Sequence, residues 1–417
     1  MGARKPRGCY GSRGKEVVVS QQVVSPRIRG FIGVNAHPEG CARNVERMAA
    51  EARLSGTGGH LRNVLVIGAS TGYGLATVLA STFGAGADVL AVCLERPSEE
   101  EKTGSAGWYN LVAAQRLAAE EFRTVRVINA DAFAEDTKQQ VIADLRQHYG
   151  PIDLVVYSIA APRRKDPESD TVWQSALKPI GERYVGPTID MRTDSVVEVA
   201  IEPATDDEIA NTVHVMGGED WALWMHALLD AELLAFGCQT VAYSYVGPEQ
   251  THAIYRHGTI GRAKEHLEAT AHDLNAEMHQ RISGGAWVSV NTAIVTQAAA
   301  AIPTVPVYMS VLFKVLREHE LFEDTVQHIT RMIHDHFSPA TPPRPDADGL
   351  LRLDDREMLP EVQAEVARRF SAVTTENLLT TTDYPYYKLW FEQLFGFSVP
   401  GVDYDAPTEV HRPLVQN

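Results

Sequence analysis

The fold is decided by the run Asn63-Val-Leu-Val-Ile67-Gly68-Ala-Ser-Thr-Gly72-Tyr-Gly74-Leu-Ala-Thr-Val-Leu-Ala-Ser-Thr-Phe83. Apolar, β-favouring residues from Val64 to Ile67 end in glycine and pass into helical spacing, as a buried parallel strand feeding a helix does. Gly68, Gly72 and Gly74 stand in the order GxxxGxG. Glycine there lets the backbone approach a pyrophosphate, while the helix N-terminus offers free N–H groups and the positive end of its dipole. A glycine turn alone is weak, because tight strand-to-helix turns use glycine for steric reasons. Its surroundings strengthen it.

The same pattern recurs downstream. Strands are predicted over 88–94, 124–128 and 153–157, with helices over 110–122 and 136–148 between them. That alternation implies right-handed βαβ crossovers, hence an α/β fold on a parallel sheet with flanking helices. Glu95 ends the second strand 21 residues after Gly74, where a carboxylate accepts hydrogen bonds from an adenosine ribose. A 2′-phosphate would meet like charge there, so NADH is preferred over NADPH, with Arg96 working against that preference. Asp131-Ala132 and Ser158-Ile159-Ala160 end the third and fourth strands. They are placed for the adenine and nicotinamide sides, or are ordinary loop starts. Beyond residue 167 the pattern loosens to helices over 206–215, 220–235 and 261–282 and a strand over 240–246. The proline cluster over 339–345 reads as a surface loop.

The 417 residues carry 54 acidic and 38 basic side chains, a net charge of −16, with 44% apolar positions. A sizeable core is feasible, and a phosphate backbone or anionic membrane surface as main partner would need a basic patch. None appears in the body of the chain. Cys9, Cys41, Cys93 and Cys238 lie far apart without metal-ligand spacing, which suggests a reducing compartment and no metal. The basic residues 1–22 read as a flexible extension, with a transit peptide as the other reading. The stretch 282–313 has no charged residue. Its amides and prolines make it buried interior rather than a membrane span.

A reductase needs a proton donor. Tyr255 and Lys264 are nine apart, on opposite faces of a straight helix. Gly258 and Gly261 between them place Tyr255 instead on a turn and Lys264 early in the next helix, where both can converge. An ammonium near a phenol lowers its pKa. His252 and His257 are rival acids, and Tyr245 could be a half-buried strand residue.

The stretches Pro26-Arg-Ile-Arg-Gly-Phe-Ile32, His37-Pro-Glu-Gly-Cys41, Val66-Ile-Gly-Ala-Ser-Thr-Gly-Tyr-Gly-Leu75, Leu94-Glu-Arg-Pro97, Gly107-Trp-Tyr-Asn110, Asp131-Ala-Phe133, Ser175-Ala-Leu-Lys-Pro-Ile-Gly181, Val215-Met-Gly-Gly-Glu-Asp-Trp221, Val295-Thr-Gln297 and Gly401-Val-Asp-Tyr-Asp405 closely resemble the FabV type of enoyl-acyl-carrier-protein reductase, also called trans-2-enoyl-CoA reductase. The resemblance runs from about residue 23 to the C-terminus. It implies an enlarged relative of the short-chain dehydrogenases: one Rossmann-type domain over 23–417, with additional helices over the active site. Within it, an NAD-binding core spans about 60–165 and a catalytic, substrate-binding part about 166–417. It further implies a cytoplasmic monomer that uses NADH to reduce enoyl-CoA or enoyl-acyl-carrier protein, with no metal, nucleic acid or stable membrane association.

The family's Tyr-x8-Lys motif falls on Tyr255 and Lys264, making Tyr255 the acid and Lys264 a cofactor ligand. By the same resemblance Tyr245 contacts the thioester and Thr296 the acyl side. The dinucleotide is bound by Gly68, Ala69, Ser70, Thr71, Gly72, Tyr73, Leu94, Glu95, Asp131, Ala132, Ile159, Ala160, Ala293, Ile294 and Val295. Tyr245 is expected to be a second donor to the thioester oxygen, 298–311 to line an acyl channel, and Arg163, Arg164 and Lys165 to form a rim for an anionic carrier. Leu94 stands where an aromatic is frequent, and Thr259 and Arg262 replace smaller residues. A carbonyl reductase is the first alternative, but its Tyr-x3-Lys is missing, since 249 and 259 hold Glu and Thr. A nucleotide sensor without turnover is the second.

Overall fold

Alternate residues of the first core strand, Asn63–Ile67 (β1), enter different cores. Val64 and Val66 join one cluster, Leu65 and Ile67 another, and all four are 0% exposed. A strand covered on both faces must be apolar throughout, which is why its sequence shows a continuous run rather than alternation. The computed structural model describes residues 21–415 apart from 30, 31, 57, 58, 168, 301 and 339. Most of the basic N-terminal extension and Pro339 of the proline cluster lie outside the described residues.

Asp88–Cys93 (β2) and Ile152–Tyr157 (β4) follow the same rule, whereas Val125–Asn129 (β3), at the edge of the sheet, leaves Arg126, Val127 and Asn129 half-buried. The hairpin Tyr184–Asp190 (β5) and Ser195–Ile201 (β6) stands apart from the sheet. Leu234–Ser244 (β7), Gly285–Val290 (β8) and Leu350–Arg352 (β9) then complete seven strands in the order β9-β8-β7-β4-β1-β2-β3, every neighbouring pair parallel. The chain is an α/β protein with a Rossmann-type sheet. Strand order reverses between β1 and β4, and such sheets open a ligand crevice there.

Helices Pro38–Leu54, Gly72–Leu79, Ala106–Glu120 and Thr325–His336 cover one face. Glu135–His148, Glu219–Asp230 and Thr259–Ile282 cover the other. A third cluster joins Val305–Glu318, Pro360–Ala372 and Tyr384–Gln393 into a helical layer. The uncharged stretch is therefore β8, a loop and the start of a buried helix. Among the described residues no helix is long and apolar enough to cross a membrane. Cys41, Cys93 and Cys238 are free and buried.

Two elements depart from the sequence reading. The helix predicted to reach 235 ends at Asp230, because Glu232 takes a left-handed φ of 57° and the chain enters β7, where Leu234 pairs with Ile152. The β5–β6 hairpin was not foreseen. Gly186 and Pro187 interrupt its apolar pattern, and apart from the buried Ile189 its apolar residues are only partly covered.

The motif containing Asp220 and Trp221 acquires a physical reason. Lys138 and Asp220, 1% and 2% exposed, form an ion pair at 2.9 Å. Lys138 Nζ also donates to the carbonyls of Ala132 and Phe133, and Tyr157 donates its hydroxyl to Asp220. Trp221 and Trp224 donate to Thr240 Oγ1 and to the Ala132 carbonyl. This buried network pins the loop after β3 from beneath. Burial pushes the Asp220 carboxyl up even against the pull of Lys138. Removing one partner leaves the other without compensation, so Lys138→Met should destabilise the fold by about 3–5 kcal/mol in urea unfolding. Lys138→Met with Asp220→Leu should cost less than the single change, and losses that simply add would show that the pairing does not matter.

Candidate active site

Gly68 ends β1 with φ 89°, and a Cβ there would lie 2.3 Å from the Ser158 carbonyl oxygen. A Cβ on Gly74 would lie 1.9 Å from the Gly68 carbonyl oxygen. Only glycine allows this turn to fold so tightly onto the end of β4, leaving backbone at the mouth of the crevice. Ala69, Ser70 and Thr71 complete the turn, and Thr71 precedes the helix that starts at Gly72. Asn110, buried, donates from Nδ2 to the Ser70 carbonyl at 3.1 Å, and Ser70 Oγ donates to Glu95 Oε1 at 2.6 Å. A Cβ on Gly107 would meet that same carboxylate oxygen at 2.2 Å. Asn129 holds the Glu95 backbone from both sides, accepting its N–H at 2.7 Å and donating to its carbonyl at 2.9 Å. The glycine turn and the acid 21 residues on are thus one hydrogen-bonded unit, as a dinucleotide cradle requires. Asn110 and Asn129 were not singled out from sequence.

The other strand ends frame this cradle. Leu94 is 69% exposed beside it. Asp131 is exposed and caps its own turn by accepting from Phe133 N, whereas Ala132 is buried. Ile159 is half-buried and Ala160 exposed after β4. Tyr73 reaches across to donate to the Thr292 carbonyl at 2.8 Å. A Cβ on Gly72 would touch Thr296 Cγ2 at 3.4 Å, so the loop carrying Ala293, Ile294 and Val295 borders the cradle. Thr296 Oγ1 accepts from Ala299 N and starts the short helix Gln297–Ala300.

Tyr245 follows β7, and Tyr255 follows the one-turn helix Glu249–His252. Their rings meet edge to face, centroids 4.8 Å apart. Lys264 sits in the second turn of Thr259–Ile282, as the two glycines imply: a Cβ on Gly261 would strike the Arg256 carbonyl oxygen at 1.9 Å. Lys264 Nζ donates to the Tyr243 carbonyl at 3.1 Å, beside Tyr245. The electrostatics differ from the expectation. Burial pulls Lys264 down to about 8, whereas burial first and the Glu357 charge second push the Tyr255 phenol up. Tyr255 is therefore a neutral phenol at rest, not one primed towards phenolate by the ammonium. His252 is engaged with the Gly247 carbonyl and meets the exposed His257 ring edge-on.

Glu357 is the residue the sequence did not disclose. It is 0% exposed, after β9. Its Oε1 accepts the hydroxyls of Tyr245 at 2.8 Å and Tyr308 at 2.6 Å, and its Oε2 accepts Thr292 Oγ1 and Ala293 N, both at 2.7 Å. In a run reading Asp354-Asp-Arg-Glu357 an acid looks solvated, and no spacing marks this one.

Two further expectations are corrected, and the two larger residues of the Tyr-x8-Lys segment find their places. Arg164 is 1% exposed, held by the His214 carbonyl and Glu219, so only Arg163 and Lys165 remain on the surface, the latter paired with Asp170. Val305 to Val311 pack in the core with Tyr384, Tyr387 and Phe391 rather than lining an open channel, and among the described residues of 298–311 only Ala298 is exposed. Thr259 fills its place by donating to the Ala176 carbonyl and accepting from Lys178 N, while Arg262 is exposed and pairs with Glu265.

Three family models match the chain: the NAD(P)H binding domain of trans-2-enoyl-CoA reductase over 23–100, the trans-2-enoyl-CoA reductase catalytic region over 102–337 and an enoyl reductase FAD binding domain over 345–408. The chain belongs to the trans-2-enoyl-CoA reductase family. Among its relatives is a protein of Opitutus terrae named enoyl-[acyl-carrier-protein] reductase [NADH], 47% identical over 94% of this chain and 100% of that one. Another, from Ruminiclostridium cellulolyticum, is named trans-2-enoyl-CoA reductase [NADH] and is 44% identical over 93% of this chain and 98% of its own. The crystal structure of Clostridium acetobutulicum trans-2-enoyl-CoA reductase in complex with NADH superposes with a TM-score of 0.92 at 38% identity, covering 95% of this chain and 100% of that one.

The third model's description implies a flavin, which the residues present do not fit. Between 345 and 408 the buried side chains Val362, Val366, Leu378, Tyr384, Tyr387 and Phe391 fill the helical core, and the Glu357 carboxylate is saturated by the four donors just named. This segment builds the site wall instead.

Two outcomes follow from the cradle. Glu95→Ala removes the carboxylate that repels a 2′-phosphate and leaves Arg96, so the ratio of turnover with NADPH to turnover with NADH should rise; an unchanged ratio would place Glu95 away from the ribose. Lys264, at about 8 when folded against the ordinary 10.5, sheds its charge above that pH, so the folded chain binds fewer protons than the unfolded one between about 8 and 10.5 and gains stability with pH there. NADH affinity should fall over the same rise, several-fold from about pH 7 to 9.5 by fluorescence titration, and Lys264→Met should flatten that dependence.

Proposed function

We infer that this site transfers hydride and proton across the trans-2 double bond of an enoyl thioester, with Tyr255 as acid and Lys264 as cofactor ligand. The observation that carries this reading is the edge-to-face contact of the Tyr255 and Tyr245 rings, centroids 4.8 Å apart, with Lys264 Nζ donating to the carbonyl of Tyr243 two residues before Tyr245. The chain is an NADH-dependent enoyl reductase. NADH, when bound, supplies a hydride to the β-carbon. Negative charge then develops on the thioester oxygen, where the neutral Tyr255 hydroxyl donates a hydrogen bond. Stabilising that oxygen in a water-poor site accounts for the largest share of the barrier reduction. Tyr255 next gives its proton to the α-carbon, leaving a saturated thioester. Lys264 holds the cofactor side. The buried phenol keeps its proton through the neutral range, so the acid is loaded before substrate arrives.

Enoyl-CoA and enoyl-acyl-carrier protein share the thioester this chemistry requires, and the exposed positive charge of Arg163 supports the docking of an anionic carrier. We read the chain as a cytoplasmic monomer. Tyr255→Phe keeps the ring and deletes the hydroxyl. Turnover at saturating NADH with an enoyl-CoA should fall about a hundredfold to ten-thousandfold with NADH binding unchanged. Near-normal turnover would move the acid elsewhere, and turnover with a ketone but not an enoyl thioester would favour the carbonyl reductase.

A further inference from the structure

We propose that Glu357 is a positioning residue of this site: it accepts the only proton of the Tyr245 hydroxyl and, through its other oxygen, holds Thr292 and Ala293, so that Tyr255 alone presents a phenolic proton to the thioester oxygen. The inference rests on the reading of the site as an NADH-linked enoyl reductase.

A phenol has one proton to give. At 2.8 Å from Glu357 Oε1, the Tyr245 hydroxyl gives it to the carboxylate, and its outward side is then an acceptor. Two donors sit on each carboxylate oxygen, which completes the positions such a group offers. All four are neutral, and no Lys or Arg among the described residues pairs with it. The arrangement spans two functions. Oε1 faces the tyrosines. Oε2 holds Ala293 N, at the start of the loop that Tyr73 ties to the cradle through the Thr292 carbonyl. The Glu357 carbonyl in turn accepts Gln363 Nε2 at 2.7 Å, anchoring the group to Pro360–Ala372.

Glutamine cannot reproduce this pattern. Its amide nitrogen set against Ala293 N would bring donor to donor. Set the other way, it donates to the two tyrosine oxygens and frees both phenolic protons, one of them to compete with Tyr255 at the thioester. Glu357→Gln should therefore lower kcat about tenfold to a hundredfold, while the NADH dissociation constant stays within about threefold, because the loop keeps its acceptor. Tyr245→Phe alone should cost less than about tenfold, since its proton is not aimed at substrate.

The deciding measurement is a double-mutant cycle on kcat with a short trans-2-enoyl-CoA at saturating NADH, alongside fluorescence titration of NADH. The Glu357→Gln, Tyr245→Phe double variant should be at least as active as Glu357→Gln, because the misdirected proton is gone. Losses that multiply, or a Glu357→Gln enzyme with wild-type kcat, would overturn the proposal. Should Glu357→Gln fail to fold, Thr292→Val reads the other arm: NADH binding weakens about two- to fivefold with kcat kept, and unchanged binding would count against it. A wild-type chain that binds NADH but turns over no enoyl thioester would overturn the functional reading instead, while the Thr292→Val titration would still test the loop contact.

Discussion

The contact that everything else depends on is backbone against backbone: Gly68 at the end of β1 lies so close to the Ser158 carbonyl after β4 that a single Cβ would sit 2.3 Å from it. β1 and β4 are the strands between which the order reverses. Their closeness below and divergence above form the crevice, and every chemical group is delivered to its mouth from the carboxyl end of a strand. The cradle comes from β1 and Glu95 from β2. Tyr245 follows β7, the loop of Ala293 to Val295 follows β8, and Glu357 follows β9. A parallel sheet makes this convergence automatic, because all its strands end on the same side.

How much could be read in advance follows from burial. β1, β2 and β4 are covered on both faces, so their residues had to be almost all apolar in sequence, and the run from Val64 to Ile67 announced itself. Glu95 was legible because its distance from the glycines is set by one strand and one helix. The turn that carries Tyr255 and the start of the helix before Lys264 were legible from Gly258, which proves to be that helix's N-cap. The β5–β6 hairpin was not, since Val185 and Val197 are 48% and 41% exposed and no clean alternation survives. Glu357 was the least legible. Its partners come from 245, 292, 293 and 308, and only the closed fold brings them together.

The same distinction explains the error about the lysine. Sequence spacing fixes that Lys264 lies near the tyrosines but not which atom receives its proton, and the nearest acceptor proved to be the Tyr243 carbonyl. A buried ammonium with one backbone acceptor is under-solvated, so its affinity for protons drops, whereas the phenols around Glu357 are buried beside negative charge and hold theirs more firmly.

These opposite shifts give the site its direction. Protons stay on the phenols and are held weakly by the amine, so before the cofactor arrives the tyrosines are loaded and the lysine is the group that responds to pH. An anionic dinucleotide bound beside Lys264, as proposed, would favour the charged amine. The buried carboxylate works in the other sense, and its charge is spread over four neutral donors. A site so arranged selects for a reaction in which charge appears on one oxygen, briefly, and is quenched by a proton already in place.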